Sequence, residues 1–128
     1  MLKASKNKYY LFIEIKPTFS RKLLQKLLKE TSQFSKCVFI SFKHKNIYNL
    51  LKIKSNTKVG LSYSRSTSVK AIIKKSNNYK INCLVLDKFF LQNKKIDATK
   101  IRKYYYTIKT KSEFKRYGKN NNLIFENL

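Results

Sequence analysis

The chain has 128 residues, a length that points to one domain of ordinary size, and its 42% apolar content is enough for a core. Thirty Lys and Arg against six Asp and Glu give a net charge of +24, so a chain of this kind repels itself and gains from a polyanionic partner. No apolar run approaches the ~18 residues of a membrane span. Two distant cysteines without a CxxC exclude a disulfide scaffold and a zinc knuckle, and a single His with six carboxylates leaves little for acid–base chemistry.

The opening, Met1 to Lys8, is basic and lacks an apolar h-region and a small-residue cleavage site, so residues 1–7 read as a basic arm. Tyr9 to Ile15 has the length and the aromatic and β-branched content of a buried strand, closed by Lys16-Pro17. Pro17 with Thr18 or Ser20 as cap then opens a helix over about 18–33. Leu23, Leu24, Leu27 and Leu28 form its apolar stripe and Arg21, Lys22, Lys26 and Lys29 its basic face. Cys37 to Phe42 reads as a second strand, and Lys43 to Ile53 as a short helix with Ile47, Leu50 and Leu51 inward. Val59 to Tyr63 reads as a third strand, with Gly60 a close-approach position.

Ser66-Thr67-Ser68 caps a helix through Lys75 that turns Val69, Ile72 and Ile73 inward and stops at Asn77-Asn78. Tyr79 to Leu86 is the next strand. Phe89-Phe90-Leu91, a Gln-Asn-Lys-Lys turn and Ile96 read as a hairpin-like excursion. Asp97 is expected to cap a helix through about Tyr105, although residues 97–106 also fit a strand period. Ser112 is expected to cap Glu113 to Tyr117, and an Asn-rich tail with an apolar end runs over 118–128. The order is β-α-β-α-β-α-β: an α/β domain over 8–117, with a mixed sheet flanked by helices.

No phosphate-cradling loop is possible with only two glycines. Cys37 and His44 are the one conceivable nucleophile–base pair, but a thiol at the start of a strand is expected to be packed, as is Cys83. Glu14, inside an apolar strand, reads as outward or edge-facing, and Asp97 as a cap. No catalytic residue, metal site or cofactor is therefore expected. Phe12, Phe34, Phe39 and Tyr79 read as core, and Tyr104-Tyr105-Tyr106 as part core, part surface.

What remains is clustered cation. Lys3, Lys6 and Lys8 form the arm; Arg21, Lys22, Lys26 and Lys29 line the first helix; Lys43 and Lys45, with Asn46, follow the second strand; Lys109, Lys111, Lys115, Arg116 and Lys119 crowd the end. Each cluster alone is compatible with a solvated face. Four of them with almost no counter-charge point to nucleic acid, and Lys gives phosphate affinity rather than base reading, so folded RNA is the expected partner.

Several segments resemble the large-subunit ribosomal protein L-ten family over roughly residues 8–117. They are the strand Tyr9 to Ile15, the helix segment Leu24-Gln25-Lys26-Leu27-Leu28-Lys29, and Lys43 or Lys45-Asn46 at the end of the second strand. Thr57 to Tyr63, Ser68 to Lys75, Phe90 to Asp97 and Ile108 to Phe114 complete the match; Gly-Pro before the third strand and Pro in the last segment are missing. The resemblance implies a structural constituent of the large ribosomal subunit, not an enzyme, bound to ribosomal RNA beside the stalk protein L-eleven. It also implies a C-terminal helix for the stalk dimers, for which the ten residues after Gly118 are too few.

Only four of the basic residues are Arg, and the excess of Lys, Asn, Ile, Tyr and Phe is the composition of an A/T-rich gene. A mitochondrial ribosome, or alternatively a plastid one, is the expected location, with no membrane or small-molecule substrate as partner. The alternatives are a ferredoxin-like small-subunit ribosomal protein, a small RNA-processing nuclease using His44 beside Lys43 and Lys45, and a cationic membrane-surface protein.

Overall fold

The computed structural model describes residues 11–78 and 80–125, and divides into two compact units, 1–61 and 62–128. The basic arm with Lys3, Lys6 and Lys8, and also Tyr79, lies outside the described residues. Strands and helices alternate along the described chain, so the α/β class expected from the sequence is what the protein adopts.

Unit 1 begins with β1 (Leu11–Glu14), α1 (Arg21–Thr31), β2 (Cys37–Ser41) and α2 (His44–Ile53), and ends within β3 (Val59–Tyr63). β1 pairs parallel to β2 with Phe12 opposite Val38 and Glu14 opposite Ile40, and β2 pairs parallel to β3 with Ile40 opposite Gly60 and Ser41 opposite Leu61. Parallel neighbours need a crossover, and α1 and α2 supply the two within this unit. Side chains alternate along each strand. One face carries Ile15, Phe39, Val59 and Leu61, all buried, and α2 packs on β2 with α1 packed on α2. The other face carries Phe12 and Glu14, both exposed, beside buried Val38 and Ile40. Ser20 rather than Thr18 caps α1, its hydroxyl accepting from the Leu23 N–H at 3.2 Å. The helix is therefore shorter than the expected 18–33, yet it contains the whole leucine stripe. Leu24 is its buried residue, while Leu23 is 48% exposed.

Unit 2 contains α3 (Val69–Ser76), β4 (Cys83–Asp87), a 3-10 turn at Lys88–Phe90, α4 (Lys94–Asp97), β5 (Arg102–Ile108), α5 (Lys111–Tyr117) and β6 (Asn122–Phe125). Ser68 caps α3 as expected, accepting from the Ala71 N–H. β4 pairs parallel to β5, with Val85 opposite Tyr104 and Asp87 opposite Tyr106, and β5 pairs parallel to β6. The expected mixed sheet is thus parallel within each unit.

Four expectations are corrected here. The helix capped by Asp97 is a strand: Tyr104-Tyr105-Tyr106-Thr107-Ile108 is aromatic and β-branched, which suits a pleated, half-buried surface, and Asp97 instead ends α4. The excursion at 89–96 is a 3-10 turn followed by a helical turn. Asp87 accepts from the Phe89 N–H at 2.8 Å, and Asn93 accepts from Lys95 and Ile96 at 3.1 Å each. α5 is capped by Thr110, not Ser112, and the apolar tail becomes β6. A register shift between Tyr105 and Ile108 matches three steps of β5 to two of β6 and keeps both residues buried.

Glu113 secures the last crossover. It closes a capping box with Thr110, accepts from the Lys109 N–H at 3.3 Å, and pairs with the Lys88 ammonium at 2.9 Å. The Lys88 hydrogen bond, first among these contacts, holds its carboxyl below the ordinary value of 4.5. A depressed folded-state pKa adds stability above the unfolded value and loses it as pH falls through the folded one. Glu113→Gln is therefore expected to lower the melting temperature at neutral pH, with the gap to the parent closing as pH falls below the ordinary carboxylate value and through the lowered one, as thermal scans across pH would record. Leu84→Ala, at a fully buried position in β4, should cost about 2–5 kcal/mol in urea denaturation.

Candidate functional site

In parallel α/β sheets the loops after the carboxyl ends of the strands are where ligands and catalytic groups gather. In unit 1 those loops are Ile15–Ser20 after β1 and Phe42–Lys43 after β2. They are locked together by a buried polar clamp. The Ser41 hydroxyl donates to the Ile15 carbonyl at 2.5 Å and accepts from the Lys43 N–H at 3.0 Å. The Asn46 amide donates to the Pro17 carbonyl at 2.8 Å and to Ser41 Oγ at 3.4 Å, and its Oδ1 accepts from the Phe19 N–H at 2.9 Å. Ser41 and Asn46 are both 0% exposed. Buried polar groups fully spent in this way hold backbone in one arrangement.

The clamp carries exposed charge on its outside. Glu14 is the last residue of β1 and Lys16 lies two residues on, so the extended alternation puts both on one side, away from buried Ile15. Lys43 and Lys45 are exposed at the start of α2. Glu14 forms no ion pair or hydrogen bond among the described residues. A free carboxylate and an ammonium fixed on one strand end can, respectively, move a proton and hold an anion.

The residues expected to bind RNA are dispersed. Arg21, Lys22, Lys26 and Lys29 are exposed along α1, where Lys26 reaches Glu30 at 4.0 Å. Lys111, Lys115 and Arg116 are exposed on α5, with the Arg116 guanidinium 5.2 Å from the centre of the Tyr117 ring. Asn46 is the exception: it is sealed, and its amide clamps two loops instead of meeting a ligand. Cys37 and His44 sit at opposite ends of β2, separated by roughly 13 Å or more of strand. Burial pushes the Cys37 thiol up and the Cys83 thiol up to about 11, the latter against an opposing pull from Arg102. Neither is a thiolate nucleophile at neutral pH. No group of three His, Cys, Asp or Glu that could hold a metal ion occurs among the described residues.

Glu14 is exposed, in line with its outward or edge-facing reading, but its pairing with Lys16 is not part of the sequence reasoning. The signal that finds them is their position, a carboxylate and an ammonium two apart where an apolar strand runs out.

Neither a family model nor a curated protein matches the sequence. Solved structures do match in fold. A protein described as a glycerophosphoryl diester phosphodiesterase from Silicibacter pomeroyi aligns with a TM-score of 0.71 at 9% identity, covering 91% of this chain and 46% of that one. A glycerophosphodiester phosphodiesterase from Galdieria sulphuraria gives 0.73 at 12%, covering 98% and 56%. One from Parabacteroides distasonis gives 0.63 at 12%, covering 91% and 52%. The chain spans about half the length of these proteins, and at such identity the likeness is one of fold. It overturns the resemblance to L-ten and the non-enzymatic role in the large ribosomal subunit that followed from it. The ribosomal reading rested on charge and element order, which this fold also accommodates.

Asn46→Ala should leave the Phe19 N–H and the Pro17 carbonyl without their partner. It is expected to cost about 1–3 kcal/mol, read from the denaturation midpoint at unchanged slope.

Proposed function

We propose that the chain provides part of the active face of a phosphodiesterase acting on a glycerophosphodiester, with the substrate phosphate held at the carboxyl end of β1. The observation that carries this reading is the placement of Glu14 and Lys16 on one side of that strand end, in a fold otherwise met in three glycerophosphodiester phosphodiesterases. Lys16 is suited to bind a non-bridging phosphoryl oxygen and to offset the charge that builds there as water attacks phosphorus. Glu14 is suited to take the proton of that water. The water oxygen forms a new P–O bond as it gives that proton to Glu14, the P–O bond to one alcohol breaks, and the departing alkoxide takes a proton from solvent while Glu14 returns its own to solvent. The Asn46–Ser41 clamp fixes the backbone from which Lys16 projects. The +24 charge raises the local concentration of anionic substrate.

The test is hydrolysis of glycerophosphocholine by the purified chain, with and without added divalent cation, alongside calorimetric binding of the same diester. Turnover is expected in at least one condition, with Lys16→Ala and Glu14→Gln each lowering kcat/KM by about 100-fold or more. Absence of both turnover and binding, or variants that match the parent, would overturn the reading.

A further inference from the structure

Unit 2 holds a polar cavity of about 450 Å³, lined among others by Asp97, Lys103, Tyr105, Arg116, Asn121 and Asn122. It lies toward the amino ends of β5 and β6. Lys103 and Tyr105 share the face of β5 that aligns with Leu84 and Leu86 of β4, opposite to the face that carries Asp87 and Tyr106. It is therefore on the other side of the sheet of its own unit from the strand-end groups Asp87 and Tyr106.

The polar groups of this cavity are under-used by the protein itself. The Tyr105 hydroxyl is buried without a hydrogen-bond partner among the described residues, in a residue only 2% exposed. Such a group costs about 1–3 kcal/mol unless something meets it, so its retention calls for an explanation. Burial first, and the nearby Asp97 charge second, push its pKa up to about 12, so it is a neutral donor at physiological pH. Asp97 accepts no hydrogen bond and makes no ion pair among the described residues. Lys103 donates to the Thr99 carbonyl at 2.7 Å, leaving two of its three protons. Asn121 and Asn122 each donate one amide N–H, to the Tyr117 and Lys103 carbonyls respectively, and keep a second N–H and the Oδ1 atom for a ligand.

The donors and acceptors are sorted. Two cations, Lys103 and Arg116, suit a doubly charged oxyanion, with Arg able to bind it in bidentate fashion. Asp97 and the two Asn Oδ1 atoms require ligand groups that donate, and hydroxyls do so without adding charge. We propose that this cavity binds a small phosphorylated polyol, its phosphate on Lys103 and Arg116 and its hydroxyls on Asp97, Asn121 and Asn122, with Tyr105 donating to an oxygen between them. The volume falls in the ordinary range of small-molecule sites, about 300–1,000 Å³.

Isothermal titration of the full chain with ribose 5-phosphate tests this, with ribose and inorganic phosphate as comparison probes. Ribose 5-phosphate should bind more tightly than either. Arg116→Ala should weaken it by about tenfold or more and Tyr105→Phe, which keeps the ring, by several-fold. Lys16→Ala should leave it unchanged, which separates failure here from failure of the phosphodiesterase reading. No binding, inorganic phosphate binding as tightly as the sugar phosphate, or equal affinity in the Arg116→Ala protein would each overturn the proposal.

Discussion

Parallel pairing is the constraint on which the rest depends. Neighbouring strands that run the same way cannot be joined by a tight turn, so each connection must travel back along the sheet, and a helix does this while satisfying its own backbone. Within unit 1 this brings the ends of β1 and β2 to one edge, and within unit 2 the ends of β4 and β5. The loops that leave those edges are freed from pairing and become available for polar chemistry. Ser41 and Asn46 show the cost of that freedom: two buried polar residues are spent on keeping the loops after β1 and β2 in place.

The strand–helix alternation was legible because its signals are local. Ser20 and Ser68 sit where capping oxygens are needed, and the runs at Val59–Tyr63 and Cys37–Ser41 are short and apolar. The stretch from Asp97 to Tyr105 was harder, since Asp97 does lie at a helix boundary, but at the closing end of α4. Charge at a helix terminus does not by itself tell which way the helix runs from it. Once β5 was taken for a helix, Lys103 and Tyr105 fell on different faces, and the polar cavity they share was invisible. Reading the same stretch with period two puts both on one face.

The charge misled for a different reason. Dense lysine favours phosphate whether it belongs to a folded RNA or to a small diester, so +24 narrows the chemistry without naming the partner. The lysines of α1 and α5 are exposed along helices, while Lys16, which stands at a strand end, belongs to no cluster. Clustering along the sequence measures where basic residues are frequent. It does not measure where the fold converges, and a reacting group needs convergence.

The scarce residues carry more information than the abundant ones. Of six carboxylates, Glu126 lies outside the described residues. Glu30 pairs with Lys26, Asp87 caps the 3-10 turn, and Glu113 closes the cap of α5 and binds Lys88. Glu14 and Asp97 do none of these things. In a chain surrounded by so many ammonium groups, a carboxylate that forms neither a cap nor an ion pair has been placed where the fold leaves it free. Glu14 stands beside Lys16 at the end of β1, and Asp97 stands in the cavity with Lys103 and Tyr105. Each of these carboxylates accompanies a cation, Lys16 in one case and Lys103 in the other, and this pairing, more than the total charge, supports the two proposed sites.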